Sequence, residues 1–413
     1  MLRKRVVRRL AIVLLLVAVL LLGIMTAAVT TDDRFYASRI VAWRDADFRD
    51  FERFPSRPVP AGPNGFSFEP APENPPEYLR KVTYRRDAPD PMSPRESMAT
   101  ALDSTGGTEV TEPLDRFLAD TGTTAFLVIR DDALLYEGYF NGYDRESTQT
   151  SFSVAKSFVS ALVGVAIEEG HIGSVDDPIT QYIPELKGQG MDEITIRHLL
   201  TMSSGLEYSG EGGGGGPLGD DAKTYYDPNL RELPLTVEPE AEPGRRWEYN
   251  NYHPLLLGMV LERATDRPVA TYLSQKIWRP LGMEADGSWS LDSEASGFEK
   301  MESGINARAI DFAKFGRLYL NRGEWGGKQV VPARWVEEST RADATTDPAD
   351  FYQYFWWVDV VDPERGRFLA RGNLGQYVYV VPDKDLVIVR MGEGFGYGRW
   401  PEVLRSIADH APS

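Results

Sequence analysis

The chain has 413 residues, 42% of them apolar and 11% aromatic, which is enough for two or three domains with a full core and unlike the composition of a disordered polymer. Its 45 basic residues face 62 acidic ones, a net charge of -17, which argues against nucleic acid as a partner and points to an acidic, solubilising surface. The absence of cysteine excludes disulfides, thiol catalysis and cysteine metal sites, so stability must come from packing.

Five basic residues (Arg3, Lys4, Arg5, Arg8 and Arg9) precede an uncharged run over residues 10–29. Twenty such residues can span a bilayer, and the basic flank predicts that residues 1–31 form a cytoplasmic tip and membrane anchor, with everything after them extracytoplasmic. A cleaved signal peptide is the competing reading, since Thr26-Ala27-Ala28 is a loose small-residue site. Residues 32–108 are rich in proline, arginine and acid, which predicts a semi-rigid extracytoplasmic spacer short of regular structure. Trp43, Phe48, Phe51 and Phe54 are the aromatics by which part of it can wrap on a domain.

The remaining domain, residues 109–413, opens with a helix in EPLDRFLAD and a hairpin in TTAFLVIR and ALLYEGYF, turning at Asp131-Asp132. SVAKSFVSALVGVAIEEG follows, with apolar residues on every side, and so predicts a helix buried all round. Thr150 or Ser151 can cap its start and Gly170 can end it. Ser153 and Lys156 then share one face of its first turn. A lysine is rarely buried without a partner, and burial favours the neutral amine, the form that takes a proton from a neighbouring hydroxyl. A serine beside such an amine, at a helix N-terminus that stabilises negative charge, is an activated nucleophile.

Next come a short helix in ITIRHLLTMSSGL and a loop-rich stretch over residues 205–244. Its glycine run at residues 212–216 lacks the lysine and preceding strand of a phosphate site. HPLLLGMVLERATD, RPVATYLSQKIWRPLGM and ARAIDFAKFGRLYLNRG predict three helices. FYQYFWWVDVV, RFLARGNLGQYVYVVPD and DLVIVRMG predict strands, and RWPEVLRSIADH a last helix. Strands at both ends around a helical middle predict an α/β sandwich with an all-helical insertion. GEGFGYG near the end has the wrong glycine spacing for a dinucleotide turn. The four histidines (His171, His198, His253, His410) include no pair at metal-ligand spacing, so neither a metal nor a cofactor is expected.

Tyr-x-Asn occurs at Tyr139, Tyr249 and Tyr319, and only Tyr249 sits in a loop that delivers the chain to a buried helix. SVAK, ITIRHLLTMSSGL, PGRRWEYNN with LLLG, IWRPLGM, SGINARAIDFAKFG and GNLGQ, in this order, resemble the serine β-lactamase and penicillin-binding-protein superfamily on its class C side. YFNGYDREST before SFSVAK most resembles the 6-aminohexanoate-oligomer hydrolases and related esterases. The resemblance implies an antiparallel sheet flanked by N- and C-terminal helices, with Ser153 as nucleophile, Lys156 as proton acceptor and Tyr249 as proton shuttle. Asn251 would contact Lys156 or substrate.

The family's third motif, usually Lys-Thr-Gly or His-x-Gly, corresponds to Asn373-Leu374-Gly375. Gly375 would admit substrate and the N–H of Gln376 would join that of Ser153 in an oxyanion hole. The cation that usually holds a substrate carboxylate is missing from this motif, and Arg371 stands two residues away. Tyr225, Tyr226 and Trp247 are candidates for apolar contacts. The implied activity is that of a membrane-anchored serine hydrolase cleaving small-molecule esters or amides through an acyl-enzyme. The alternative is a slowly acylating penicillin-binding sensor, a D-alanyl carboxypeptidase or a β-lactamase.

Overall fold

The apolar runs FLVI, YVYVV and LVIV become neighbouring strands of one sheet. A computed structural model describes residues 2–30, 36–99, 106–210, 219–341 and 348–412. In it, seven antiparallel strands are ordered Tyr352–Gln353, Trp356–Val358, Phe368–Gly372, Gln376–Val381, Leu386–Gly392, Thr123–Arg130 and Ala133–Tyr139. The central strands lack hydrophobic alternation because both faces are covered. Val378 and Val387 meet Gly316 of the helix Ala309–Leu320. On the other face Arg390 packs over Trp400 of the terminal helix Trp400–His410, with Phe117 of the helix Leu114–Asp120 beside it. The two ends of the domain thus meet on one side of the sheet, in the antiparallel α/β arrangement expected. Asp131 and Asp132 both adopt positive φ, which gives the first hairpin a tight turn matched to strand twist.

The helix Val154–Glu168 lies under the sheet, buried from Val154 to Ala166. Phe158 stacks on Phe315 at 3.6 Å between ring centres, and Gly164 leaves room for the ring of Trp335. The middle of the chain adds the helices Ile196–Leu200, Asp220–Tyr226, Tyr252–Thr265 and Val269–Leu273. The last of these continues without a break into a wider helical turn over Ser274–Trp278, so the helix expected there forms with its second half unwound to a broader pitch. FYQYFWWV likewise folds back on itself as two short strands, with positive φ at Tyr354 and Phe355. The glycine run at residues 212–216 lies outside the described residues.

The proline-rich segment expected to be a spacer is instead folded onto the domain. Its strand Ser56–Val59 pairs with Gly287–Ser290 at the edge of a four-stranded sheet, a position where Pro58 costs no ladder bond. Lys81–Arg86 pairs with Thr108–Pro113, and Phe54, Phe68, Leu79, Val82 and Met98 are buried. The helix Tyr36–Trp43 is pinned by Arg39, which is fully buried. Its Nη1 donates to the carbonyls of Asp292 (2.5 Å) and Tyr226 (3.3 Å), and its guanidinium lies over the Trp43 ring. Proline content hid these elements because it argues against strands in general while edge positions tolerate it.

Before this segment, Leu2–Thr30 forms one helix whose stretch Arg9–Thr26 has a mean hydropathy of 2.7 and is not buried. It is long and apolar enough to cross a membrane, a property that a signal sequence shares.

Replacing Arg39 by Met keeps the side chain's length but leaves two buried carbonyls unpaired. We expect Arg39→Met to lower stability by about 2–4 kcal/mol, read as a fall in the urea midpoint. An unchanged midpoint would mean that Arg39 does not fasten this helix.

Candidate active site

The chain reaches Ser153 through a constrained step, since Phe152 has φ 45°, a conformation rare for a bulky side chain. Thr150 and Ser151 do not cap the helix as expected. Thr150 is in the strand Thr148–Thr150 and donates to Asn306 Oδ1 at 3.1 Å, while Ser151 Oγ donates to the carbonyls of Phe152 (3.0 Å) and Ser303 (3.2 Å). Both hydroxyls serve the neighbouring sheet and loop, and Ser153 itself occupies the cap position. The helix ends at Glu168, just before Gly170, as the glycine predicts.

Lys156 is 1% exposed. Its Nζ donates to Ser153 Oγ at 2.8 Å and to the Glu302 carbonyl at 3.0 Å, and lies 4.8 Å from the centre of the Tyr249 ring. That ring stacks on Trp357 at 5.9 Å. The loop bearing Tyr249 is held by the TMSSGL turn: the N–H of Glu248 donates to the Met202 carbonyl at 2.8 Å, and that of Asn250 points at the Met202 sulfur. The interlock accounts for the two motifs occurring together. Tyr139 and Tyr319 stay apart from this site; the first donates to Glu137 (2.7 Å) and the second packs on Trp356 (4.4 Å between ring centres).

Asn251 Nδ2 donates to Asp221 Oδ1 at 3.2 Å, and its buried Oδ1 has no hydrogen-bond partner among the described residues. His253 sits beneath, with Nε2 2.6 Å from Ser204 Oγ and Nδ1 3.1 Å from the Met202 sulfur. Burial first, then the Lys156 charge, push its pKa down to about 3, so it stays neutral near pH 7 and serves as scaffold. His198 closes a capping box with Thr195.

A cleft of about 1630 Å³ opens over Ser153. Tyr225, Tyr226, Trp247, Tyr249 and Asn251 line it, as does Trp357, whose place in the cleft the sequence did not signal. One wall comes from the proline-rich segment, through Ile40, Arg44, Asp87 to Ser93 and Ser97.

The strand beside the Ser151–Phe152 backbone brings its glycine to the cleft three residues earlier than expected. Arg371, Gly372 and Asn373 line it, whereas Gly375 and Gln376 do not. Gly372 lies against the loop before Ser153 so closely that a Cβ there would run into the Ser151 carbonyl. Gly375, at φ 81°, instead makes room for the Arg390 guanidinium, which donates to the Gly375 carbonyl at 2.6 Å. Arg390 is buried and its other hydrogen bonds include the carbonyls of Thr121 (2.9 Å) and Gly394 (3.0 Å); burial pulls its pKa down to about 9. Gln376 is also buried, and its amide clamps Gly392, donating to the carbonyl at 2.7 Å and accepting from the N–H at 2.9 Å. These two residues therefore build the turn behind the cleft. Arg371 does reach the cleft, with its guanidinium 5.6 Å from the Trp357 ring and Nη1 3.4 Å from Ser97 Oγ.

Below the cleft lies a buried charged cluster. Lys300 Nζ is 2.9 Å from Glu302 Oε1 and donates to the Tyr225 carbonyl at 2.6 Å. The Tyr225 hydroxyl donates to Asp50, from the proline-rich segment. Burial raises the Asp50 pKa and lowers that of Lys300, the latter opposed by Glu302. The cluster fixes Glu302, whose carbonyl orients Lys156, and its own ion pair is a cost of burial offset by these contacts.

Residues 114–411 match the Beta-lactamase family. The 6-aminohexanoate-dimer hydrolase of Paenarthrobacter ureafaciens is 28% identical over 346 residues, 77% of this chain and 81% of that protein. Esterase EstB of Burkholderia gladioli is 32% identical over 188 residues, covering 41% and 47% of the two chains. A solved Bacillus anthracis structure, provisionally named a 6-aminohexanoate-dimer hydrolase, superposes with a TM-score of 0.74 at 25% identity, covering 93% of this chain and 98% of its own.

Two outcomes follow from the geometry. Gly372→Ala must displace the Ser151–Phe152 backbone, and a displacement near 1 Å is worth roughly 10²-fold in rate. We expect fluorophosphonate labelling of Ser153 to slow by about that factor, and labelling at the parental rate would show that the approach does not matter. The His253 pKa of about 3 lies below the unfolded value of 6.5. Between those pH values the unfolded chain binds a proton that the native chain does not, so stability falls as pH drops through the window, by up to roughly 1.4 kcal/mol per unit. His253→Asn should flatten that slope in urea titrations between pH 7 and pH 4, and an equally steep variant would assign the acid sensitivity to other groups.

Proposed function

The chain belongs to the Beta-lactamase family, and from that premise we propose that it is a membrane-anchored serine hydrolase that cleaves esters or amides through an acyl-enzyme. The observation that carries the reading is Lys156 Nζ at 2.8 Å from Ser153 Oγ on the floor of the cleft. An amine and a hydroxyl at that distance, at a helix start, are equipped for nucleophilic attack by the serine. The 6-aminohexanoate-dimer hydrolase and esterase names among the relatives support amide and ester bonds as targets. The apolar helix ahead of the domain supports the anchor, with the domain on the extracytoplasmic side of its basic flank.

In this mechanism Ser153 Oγ adds to the substrate carbonyl carbon as its proton passes to the neutral Lys156 amine. The tetrahedral oxyanion accepts hydrogen bonds from the N–H groups of Ser153 and Asn373, the residue after the close-packed Gly372. Collapse breaks the bond to the alcohol or amine, which leaves with a proton relayed through Tyr249. Water then adds to the acyl group, releasing the acid and restoring the Ser153 hydroxyl. Asn251 stands in the cleft wall beside Ser153, its amide held by Asp221, as a substrate-contacting residue. The side chain of Asn373 supplies no charge, and a lost charge-assisted bond is worth roughly 1.5–3 kcal/mol, so carboxylate-bearing lactams should be poor substrates unless Arg371 holds them.

The test compares a short acyl ester, a linear amide and a cephalosporin. The wild type is expected to turn over the ester or the amide with the highest kcat/KM, Ser153→Ala to lose all labelling, and Lys156→Ala to lose at least about 10²-fold. A labelled Ser153→Ala protein, or a wild type whose acyl-enzyme persists for hours, would replace this reading, the latter with a sensor.

A further inference from the structure

Two large apolar side chains stand exposed among the described residues outside the N-terminal helix: Val41 at 48% and Met92 at 93%. Met92 lines the cleft, and Val41 directly follows Ile40, which also lines it. Single exposed apolar residues need no explanation, but Val41 stands in the first helix after the apolar N-terminal one, and Met92 on a cleft edge that Ile40 of that same helix helps to build. That helix ends at Thr30 and the next begins at Tyr36. Fully stretched, the link from Thr30 to Ile40 covers no more than about 28 Å. The cleft wall is therefore tethered within reach of the bilayer surface.

The tether is also rigid at its far end. Arg39 fastens the helix Tyr36–Trp43 to the carbonyls of Tyr226 and Asp292, and the Tyr226 hydroxyl donates to the Arg44 carbonyl at 2.6 Å. Tyr226 and Arg44 both line the cleft, so the rim and the substrate wall move as one body with the first helix after the anchor. The cleft, at about 1630 Å³, exceeds the roughly 300–1,000 Å³ of an ordinary small-molecule site. Phe152, Tyr225, Trp247 and Trp357 give it aromatic walls beside Ser153. Asp45, Asp87 and Asp90 on the rim repel an anionic headgroup.

We propose that the rim bearing Val41 and Met92 rests on the bilayer and that the cleft takes its substrate from the membrane: an uncharged or zwitterionic amphiphile with a long acyl chain in ester linkage. This rests on the membrane-anchored serine hydrolase reading. The reaction is the ester hydrolysis already described, with water as co-substrate and a fatty acid and an alcohol as products.

The experiment uses the full chain in phosphatidylcholine vesicles. The chain contains no cysteine, so Met92→Cys offers a single site for an environment-sensitive dye. The dye is expected to shift to the blue and to be quenched by shallow nitroxide lipids. In the same vesicles, the rate on umbelliferyl palmitate is divided by the rate on water-soluble umbelliferyl acetate, which shares its leaving group. Val41→Asp and Met92→Asp should each lower that ratio about five-fold. An unquenched dye with ratios equal to the wild type overturns the proposal. Release of the wild type by alkaline carbonate overturns the anchor and the proposal together. A firmly bound protein that hydrolyses neither ester and takes no fluorophosphonate overturns the hydrolase reading instead.

Discussion

A lysine inside an apolar helix is the constraint on which the site depends. Lys156 is buried among aliphatic and aromatic neighbours, and a buried ammonium or amine is tolerable only where hydrogen-bond partners are in place. Ser153 Oγ and the Glu302 carbonyl supply two of them, and the face of Tyr249 supplies a favourable quadrupole. The neighbouring His253 is held neutral, so it places no charge of its own beside Lys156. The Ser153–Lys156 pair is thus a consequence of how the core satisfies one polar group.

That solution draws on distant parts of the chain. Glu302 is set by Lys300, Lys300 by the Tyr225 carbonyl, and Tyr225 by Asp50 in the segment ahead of the family domain. Phe152 stacks on Tyr225 at 6.3 Å, which ties the constrained step before Ser153 to the same cluster. The proline-rich segment is therefore a working part of the cleft: it contributes a wall and a buried acid, and its first helix is fastened by Arg39.

The third motif shows how two glycines can be confused. Gly372 and Gly375 are three residues apart, and either is compatible with close approach of a partner. The structure gives them different partners, the Ser151–Phe152 backbone for Gly372 and the Arg390 guanidinium for Gly375. Arg390 spans carbonyls from the end of the helix Leu114–Asp120, the turn and the last loop, contacts that exist only once segments far apart in sequence are adjacent. Arg371 escapes the same ambiguity only in three dimensions, where Trp357 and Ser97 show that it lines the cleft.

What the sequence determined by itself was local and periodic. The all-apolar helix with its lysine, the Asp131-Asp132 hairpin, the terminal helices and the membrane-length apolar run are each set by residues within one or two turns of one another, where propensity and spacing act directly. The pairing of Ser153 with Lys156 was legible for that reason, since three residues on a helix bring two side chains to one face. Only the tertiary structure decided that residues 36–99 fold onto the domain, that Thr150 and Ser151 serve the neighbouring sheet and loop, and that Gly372, Asn373 and Arg371 line the cleft. Those outcomes depend on which surfaces meet across hundreds of residues, and burial, edge position and strand register have no local signature that a chain read in order can display.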